Sequence, residues 1–160
     1  MSENIIKINQ HLFRKYISRD SILNKIEVIA SEIKSHYNGR DFVVICLLKG
    51  SFYIFSELVQ RLPSNITFEF IKISSYEGMK QNDEIFIQEQ NFDIHSKNIL
   101  IIEDIIDSGR TIRAFKKYLK KNNPNSIKIF TLLYKEKSNV DVDWYGFVVP
   151  DKFYIGFGLD

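Results

Sequence analysis

Ile99-Leu100-Ile101-Ile102-Glu103-Asp104-Ile105-Ile106-Asp107-Ser108-Gly109-Arg110-Thr111 is the stretch whose reading decides the fold. An apolar run enters two acids, then a third acid, a Ser-Gly pair and a helix start. Such a run predicts a strand buried on both faces, as in a parallel sheet. Gly109 lets the backbone turn tightly and approach a ligand closely. The helix start presents unpaired N–H groups and the positive end of a dipole, which suits a phosphate. Ser108 and Thr111 add hydroxyl donors. Acids at one end and an anion cradle at the other suit a sugar phosphate. The D-S-G-x-T fragment alone, however, reads more readily as plain structure, with Asp107 or Ser108 capping the helix and Glu103 and Asp104 as solvated loop charges.

Working outward, residues 111–121 form an amphipathic pattern, with Ile112, Phe115 and Leu119 inward and Arg113, Lys116, Lys117 and Lys120 outward. Residues 122–125 break it. Upstream, FVVICLL at 42–48 is a second buried strand, ending in Lys49-Gly50. Residues 51–62 follow as a helix stopped by Pro63. Ile22, Ile26, Ile29, Ile33 and Tyr37 have helical spacing, with Asp20 as the expected N-cap. Strands are expected at 66–75, 85–88, 98–102, 126–134, 144–148 and 154–158, with a polar loop at 76–84. Strand and helix alternate, which predicts an α/β fold with a mainly parallel twisted sheet flanked by helices, in one domain over residues 1–160. Ligands in such sheets bind beyond the carboxyl ends of the strands. Lys49-Gly50, residues 103–111 and Lys135 fall there.

At 160 residues, 44% hydrophobic and 14% aromatic, the chain can bury a real core. Its 22 basic and 20 acidic residues leave a net charge of +2, so no global charge draws it to nucleic acid or an anionic membrane. The basic face of residues 113–121 reads as a solvated helix surface. Cys46 has no partner for an internal disulfide and reads as an inert buried thiol in a reducing compartment. No secretory signal opens the chain, and no apolar run is long enough to span a bilayer. These features predict a soluble cytoplasmic protein. His11, His36 and His95 lack metal-ligand spacing. Neither G-x-x-x-x-G-K-[ST] nor G-x-G-x-x-G occurs.

The string E-D-I-I-D-S-G-x-T resembles the phosphoribosyl-diphosphate (PRPP) motif of type I phosphoribosyltransferases, in the wording of the hypoxanthine-guanine branch. The likeness continues in family order. LLKGSF at 47–52 resembles the pyrophosphate loop, and ISSY at 73–76 the start of the mobile active-site loop. TLLYK at 131–135 resembles the strand with the purine-reading lysine, and VPDKFYIGFGLD at 149–160 the purine-stacking segment. The resemblance covers about residues 10–160.

The resemblance implies a type I phosphoribosyltransferase fold with a small hood and a mobile active-site loop. It implies transfer of the phosphoribosyl group of PRPP to hypoxanthine or guanine, giving IMP or GMP and pyrophosphate in purine salvage. A non-catalytic nucleotide sensor of the same fold is the alternative. The implied cofactor is Mg²⁺, with Glu103, Asp104 and Asp160 as metal residues. Asp107 is the implied catalytic residue near purine N7. Glu103, Asp104, Asp107, Ser108, Gly109, Arg110 and Thr111 would bind PRPP, Arg110 facing outward. Leu48, Lys49 and Gly50 would bind pyrophosphate, and the Leu48–Lys49 peptide can be cis. Lys135, Phe153, Tyr154 and Asp160 would form the purine site, and Ser75 and Tyr76 the lid. On residues alone, Lys135 reads as a turn lysine, Phe153 equally as core, and Asp160 as a terminal acid. The resemblance also implies a homodimer or homotetramer, with no nucleic-acid or membrane partner. The family continues past the aspartate matching Asp160 into a tail whose arginine contacts pyrophosphate. The sequence stops at Asp160: either the tail has been removed or the protein works without it, and pyrophosphate binding, activity and the stability of the sheet edge turn on which.

Overall fold

The computed structural model describes residues 5–75, 85–87 and 93–159. It begins with an antiparallel pair, β1 (Ile5–Ile8) and β2 (His11–Arg14), turning at Asn9, whose φ is 54°. Then come α1 (Arg19–Tyr37), β3 (Val43–Leu48), α2 (Phe52–Val59), β4 (Thr67–Ser75), β5 (Ile85–Ile87), β6 (Asn98–Ile106), α3 (Arg110–Lys120), β7 (Ser126–Tyr134) and β8 (Trp144–Val148).

The main sheet has the order β5-β4-β3-β6-β7-β8. β4, β3, β6, β7 and β8 are mutually parallel, and β5 closes one edge antiparallel to β4. The side chains explain why the central strands are apolar throughout. Val44, Cys46, Leu100 and Ile102 pack with Ile26, Ile33, Ile54 and Leu58 of α1 and α2. Their neighbours Val43, Ile45, Ile99 and Ile101 point the other way, onto Ile112, Phe115 and Leu119 of α3. Alternate residues face opposite sides of a strand, so a sheet covered on both faces needs apolar residues at every position.

Three expectations shift and one element is new; β6 runs through residues 103–106, where a loop was expected. The N-cap of α1 is Ser18 rather than Asp20: its hydroxyl accepts from the Ser21 amide at 3.0 Å, and Asp20 lies in the first turn. Residues 154–158 form no strand; only a Gly156–Leu159 bridge pairs there. The cause is local, since Gly156, Phe157 and Gly158 all have positive φ, at 93°, 53° and 96°, outside the extended region. The β1–β2 pair was not anticipated. Its Ile5, Ile6 and Leu12 are exposed, so it carries no buried stripe by which to recognise it.

The pair supplies the hood. Phe13 of β2 lies 6.4 Å from Phe153 between ring centroids, and Tyr16 lies 5.6 Å from Tyr154. Ser75 ends β4; Tyr76, the rest of the 76–84 loop, Gln88 and Asp160 lie outside the described residues. Among the described residues no helix is long and apolar enough to cross a membrane.

Cys46 is fully buried in β3, and burial pushes its thiol up to about 12. The folded protein should therefore react negligibly with a thiol reagent at neutral pH and release one equivalent of thiol after denaturation. Rapid labelling of the native chain would contradict this packing of β3.

Candidate active site

β6 delivers Glu103 and Asp104 near its carboxyl end, and Asp107, Ser108 and Gly109 turn the chain into α3. Gly109 has φ 73°, and a Cβ there would strike Val140 Cγ2, so this turn requires glycine on two counts. No side chain caps α3, although the Arg110 amide lies 3.4 Å from Ser108 Oγ. The turn is anchored instead by Arg113, which donates to the Ser108 carbonyl at 2.9 Å and the Ser138 carbonyl at 3.0 Å. Sequence placed Arg113 on a solvated face; its spacing could not reveal two carbonyl acceptors that converge only after folding. Arg110 is exposed, yet it borders the cleft.

That cleft has a volume of about 320 Å³ and is bordered by residues 103–112, with Leu48 and Gly50 across from them. The Leu48–Lys49 peptide is cis. A Cβ on Gly50 would collide with the Asp104 carboxylate, so only glycine leaves that side chain room beside the loop after β3. Lys49 borders a neighbouring hollow of about 570 Å³ with Arg19, Tyr53 and residues 156–159. It therefore opens beside the Glu103–Asp104 cleft, not into it.

Burial pushes the Glu103 carboxyl well above its ordinary range, and the Asp104 carboxyl beside it acts the same way. A hard divalent cation relieves such crowding. Two adjacent carboxylates suit Mg²⁺, which takes few protein ligands and fills its octahedron with water and substrate oxygens. No cluster of three or more His, Cys, Asp or Glu able to hold a metal occurs among the described residues.

At the other end of the cleft the charges are balanced. Lys135, at the end of β7, is almost fully buried, and its amide donates to the Ile106 carbonyl at 3.1 Å. Its Nζ lies 2.8 Å from Asp107 Oδ2 and 3.0 Å from Asp151 Oδ1. Lys137 Nζ takes the other oxygens, at 2.9 Å from Asp107 Oδ1 and 2.6 Å from Asp151 Oδ2. Hydrogen bonds from Lys135 and then Lys137 hold the Asp107 carboxyl below its usual value. Burial alone would lower Lys135, but Asp107 and Asp151 outweigh it and hold the ammonium above its usual value. Phe153 is 71% exposed, with one face toward the hood, and the Tyr154 hydroxyl donates to the Pro150 carbonyl at 3.0 Å. Sequence reasoning missed Lys137 and Asp151 as members of this group. Their one signal was position, just beyond the ends of β7 and β8.

A parallel sheet with acids at the end of one strand and a glycine turn leading into a helix places the chain among α/β proteins that bind ligands at the carboxyl rim of the sheet. The phosphoribosyl transferase domain family matches residues 18–160, and the chain belongs to it. It is 35% identical over 158 residues to the hypoxanthine phosphoribosyltransferase of Buchnera aphidicola, covering 94% of this chain and 89% of the relative. It is 36% identical over 149 residues to the bifunctional protein TilS/HprT of Listeria innocua, covering 90% of this chain but spanning only 23% of that relative's length. A crystal structure of a hypoxanthine-guanine phosphoribosyltransferase from Bacillus anthracis, with HEPES in its active site, superposes with a TM-score of 0.83 at 34% identity, covering 91% of this chain and 86% of that one.

Gly109→Ala should destabilise the fold by about 1–2 kcal/mol from the left-handed backbone alone, with more from the Val140 clash. Chemical denaturation measures this, and an unchanged midpoint would refute the described turn. Lys137→Met should raise the pH at which Asp107 titrates, since it removes a donor that favours the carboxylate. Carbon-detected NMR titration of the carboxyl would show a fixed midpoint if the Lys137 contact were absent.

Proposed function

We propose that this chain transfers the 5-phosphoribosyl group of PRPP to hypoxanthine or guanine, giving IMP or GMP and pyrophosphate. The observation that carries the reading is the placing of an acid pair, a helix-start cradle and the Asp107–Lys135 pair along one strand end. In this reading residues 108–111 take the 5-phosphate, using backbone N–H groups, the Ser108 and Thr111 hydroxyls and the Arg110 charge. Glu103 and Asp104 face the ribose hydroxyls. They would hold Mg²⁺, with Asp160 as a further ligand, and the ion would offset charge on the pyrophosphate oxygens. Leu48, Lys49 and Gly50 offer the pyrophosphate its binding loop, Lys49 from the adjoining hollow.

The purine lies between Phe153 and the Asp107–Lys135 pair, with Tyr154 beside it. Lys135 donates to the 6-oxo group, which the 6-amino group of adenine cannot replace as acceptor. N9 of the base attacks C1′ as the bond from C1′ to the pyrophosphate oxygen breaks, and the N7 proton passes to the ionised Asp107. Positive charge gathers on the ribose ring in between, so the protein's work is positioning and electrostatic stabilisation. Ser75 and Tyr76 begin a lid that would exclude water during this step. We further infer one catalytic domain over residues 1–160, a homodimer or homotetramer, and a cytoplasmic setting without nucleic-acid or membrane partners.

The test is incubation with PRPP, Mg²⁺ and hypoxanthine, guanine, xanthine or adenine, following nucleotide by mass spectrometry. IMP and GMP should form, and adenine should give far less product. Asp107→Asn should lower the rate by about 10²–10⁴-fold, the usual contribution of a positioned base. Nucleotide binding without product from any base would sink the catalytic reading in favour of a sensor.

A further inference from the structure

Lys135 carries three ammonium hydrogens. Asp107 Oδ2 and Asp151 Oδ1 direct two of them, at 2.8 and 3.0 Å. Two fixed acceptors set the direction of the third, because the stem of this side chain is buried and only 6% of it is exposed. Lys137 bridges the remaining oxygens of both carboxylates. Each acid thus offers one oxygen to each ammonium, and the four formal charges cancel.

We propose that Asp151 is a positioning residue of the base site, holding the Lys135 ammonium so that its third hydrogen meets a 6-oxo group, with Lys137 as the counter-charge that bridges both acids. This rests on the phosphoribosyl-transfer reading and deepens it. Asp107 has to serve two partners in that reading, the Lys135 ammonium and the purine N7 proton. A lysine held by Asp107 alone would swing with it when the proton is transferred. The second carboxylate keeps the ammonium in place through that event. It also narrows the donor's direction, and a narrow donor discriminates more sharply between a carbonyl acceptor and an amino group.

Asp151→Asn tests this, because it keeps shape and removes one charge from a side chain that is 59% exposed. The KM for hypoxanthine should rise roughly three- to tenfold, the difference between a charged and a neutral hydrogen bond to Lys135. The KM for PRPP should stay near that of the unaltered chain, and the preference for hypoxanthine over adenine should shrink. Asp151→Glu should recover much of the hypoxanthine KM. A merely structural role would instead move the melting temperature, kcat and both KM values together, and that result overturns the proposal, as does failure of the variant to fold. An unchanged hypoxanthine KM and base preference, in a chain whose unaltered form is active, overturns it while the transfer reading stands. If the unaltered chain neither makes product nor binds IMP by calorimetry, the transfer reading falls and takes this one with it.

Discussion

Everything at the site depends on β6 being held on both edges and covered on both faces. It pairs with β3 on one side and β7 on the other, in parallel registers that align the carboxyl ends of all three strands. Leu100 and Ile102 anchor it to one helical layer, Ile99 and Ile101 to the other. A strand so constrained has little freedom to slip, because a one-residue shift would exchange the residues of its two faces. Glu103, Asp104 and Asp107 are therefore set by a rigid core, although they sit where the chain begins to leave the sheet. Parallel connection also brings the loops after β3 and β7 to the same rim, which is why Gly50 and Lys135 arrive beside acids dozens of residues away.

The two ends of the cleft carry opposite electrostatic designs. Glu103 is partly buried next to Asp104, and its charge is disfavoured. Such a site gains from an incoming cation. Asp107 is matched by Lys135 and Lys137, which favour its charged form. Such a site keeps its carboxylate ionised. The same residue type thus takes different characters within one loop, through its neighbours rather than through its position in the motif.

Close approach at two glycines shapes the Glu103–Asp104 end. Gly50 leaves room for the Asp104 carboxylate, and Gly158 leaves room for the Gly50 carbonyl. The end of β6, the loop after β3 and the turn at residues 156–159 are brought together by the absence of two side chains. Arg113 adds the tie between the α3 turn and the short turn at residues 136–138, by bonding carbonyls of both. The turn into α3 and the turn at residues 136–138 should consequently move as one unit.

The sequence by itself determined the α/β class, the central strands and the inward face of α3, because these follow from periodicity that neighbouring residues can encode. It also marked residues 103–111 as a segment with an unusual load of acids and a required glycine, although it began the loop at Glu103 and β6 runs on to Ile106. Local patterning misplaced the cap of α1 and read a strand at 154–158, where positive φ angles govern instead. Asp151 and Lys137 lay beyond its reach, as did the carbonyls that Arg113 ties. These depend on which loops meet at the sheet's rim, and only strand order and register bring them together. A charged residue in a loop looks the same in sequence whether it faces water or an opposite charge; folding supplies the partner, and with it the role.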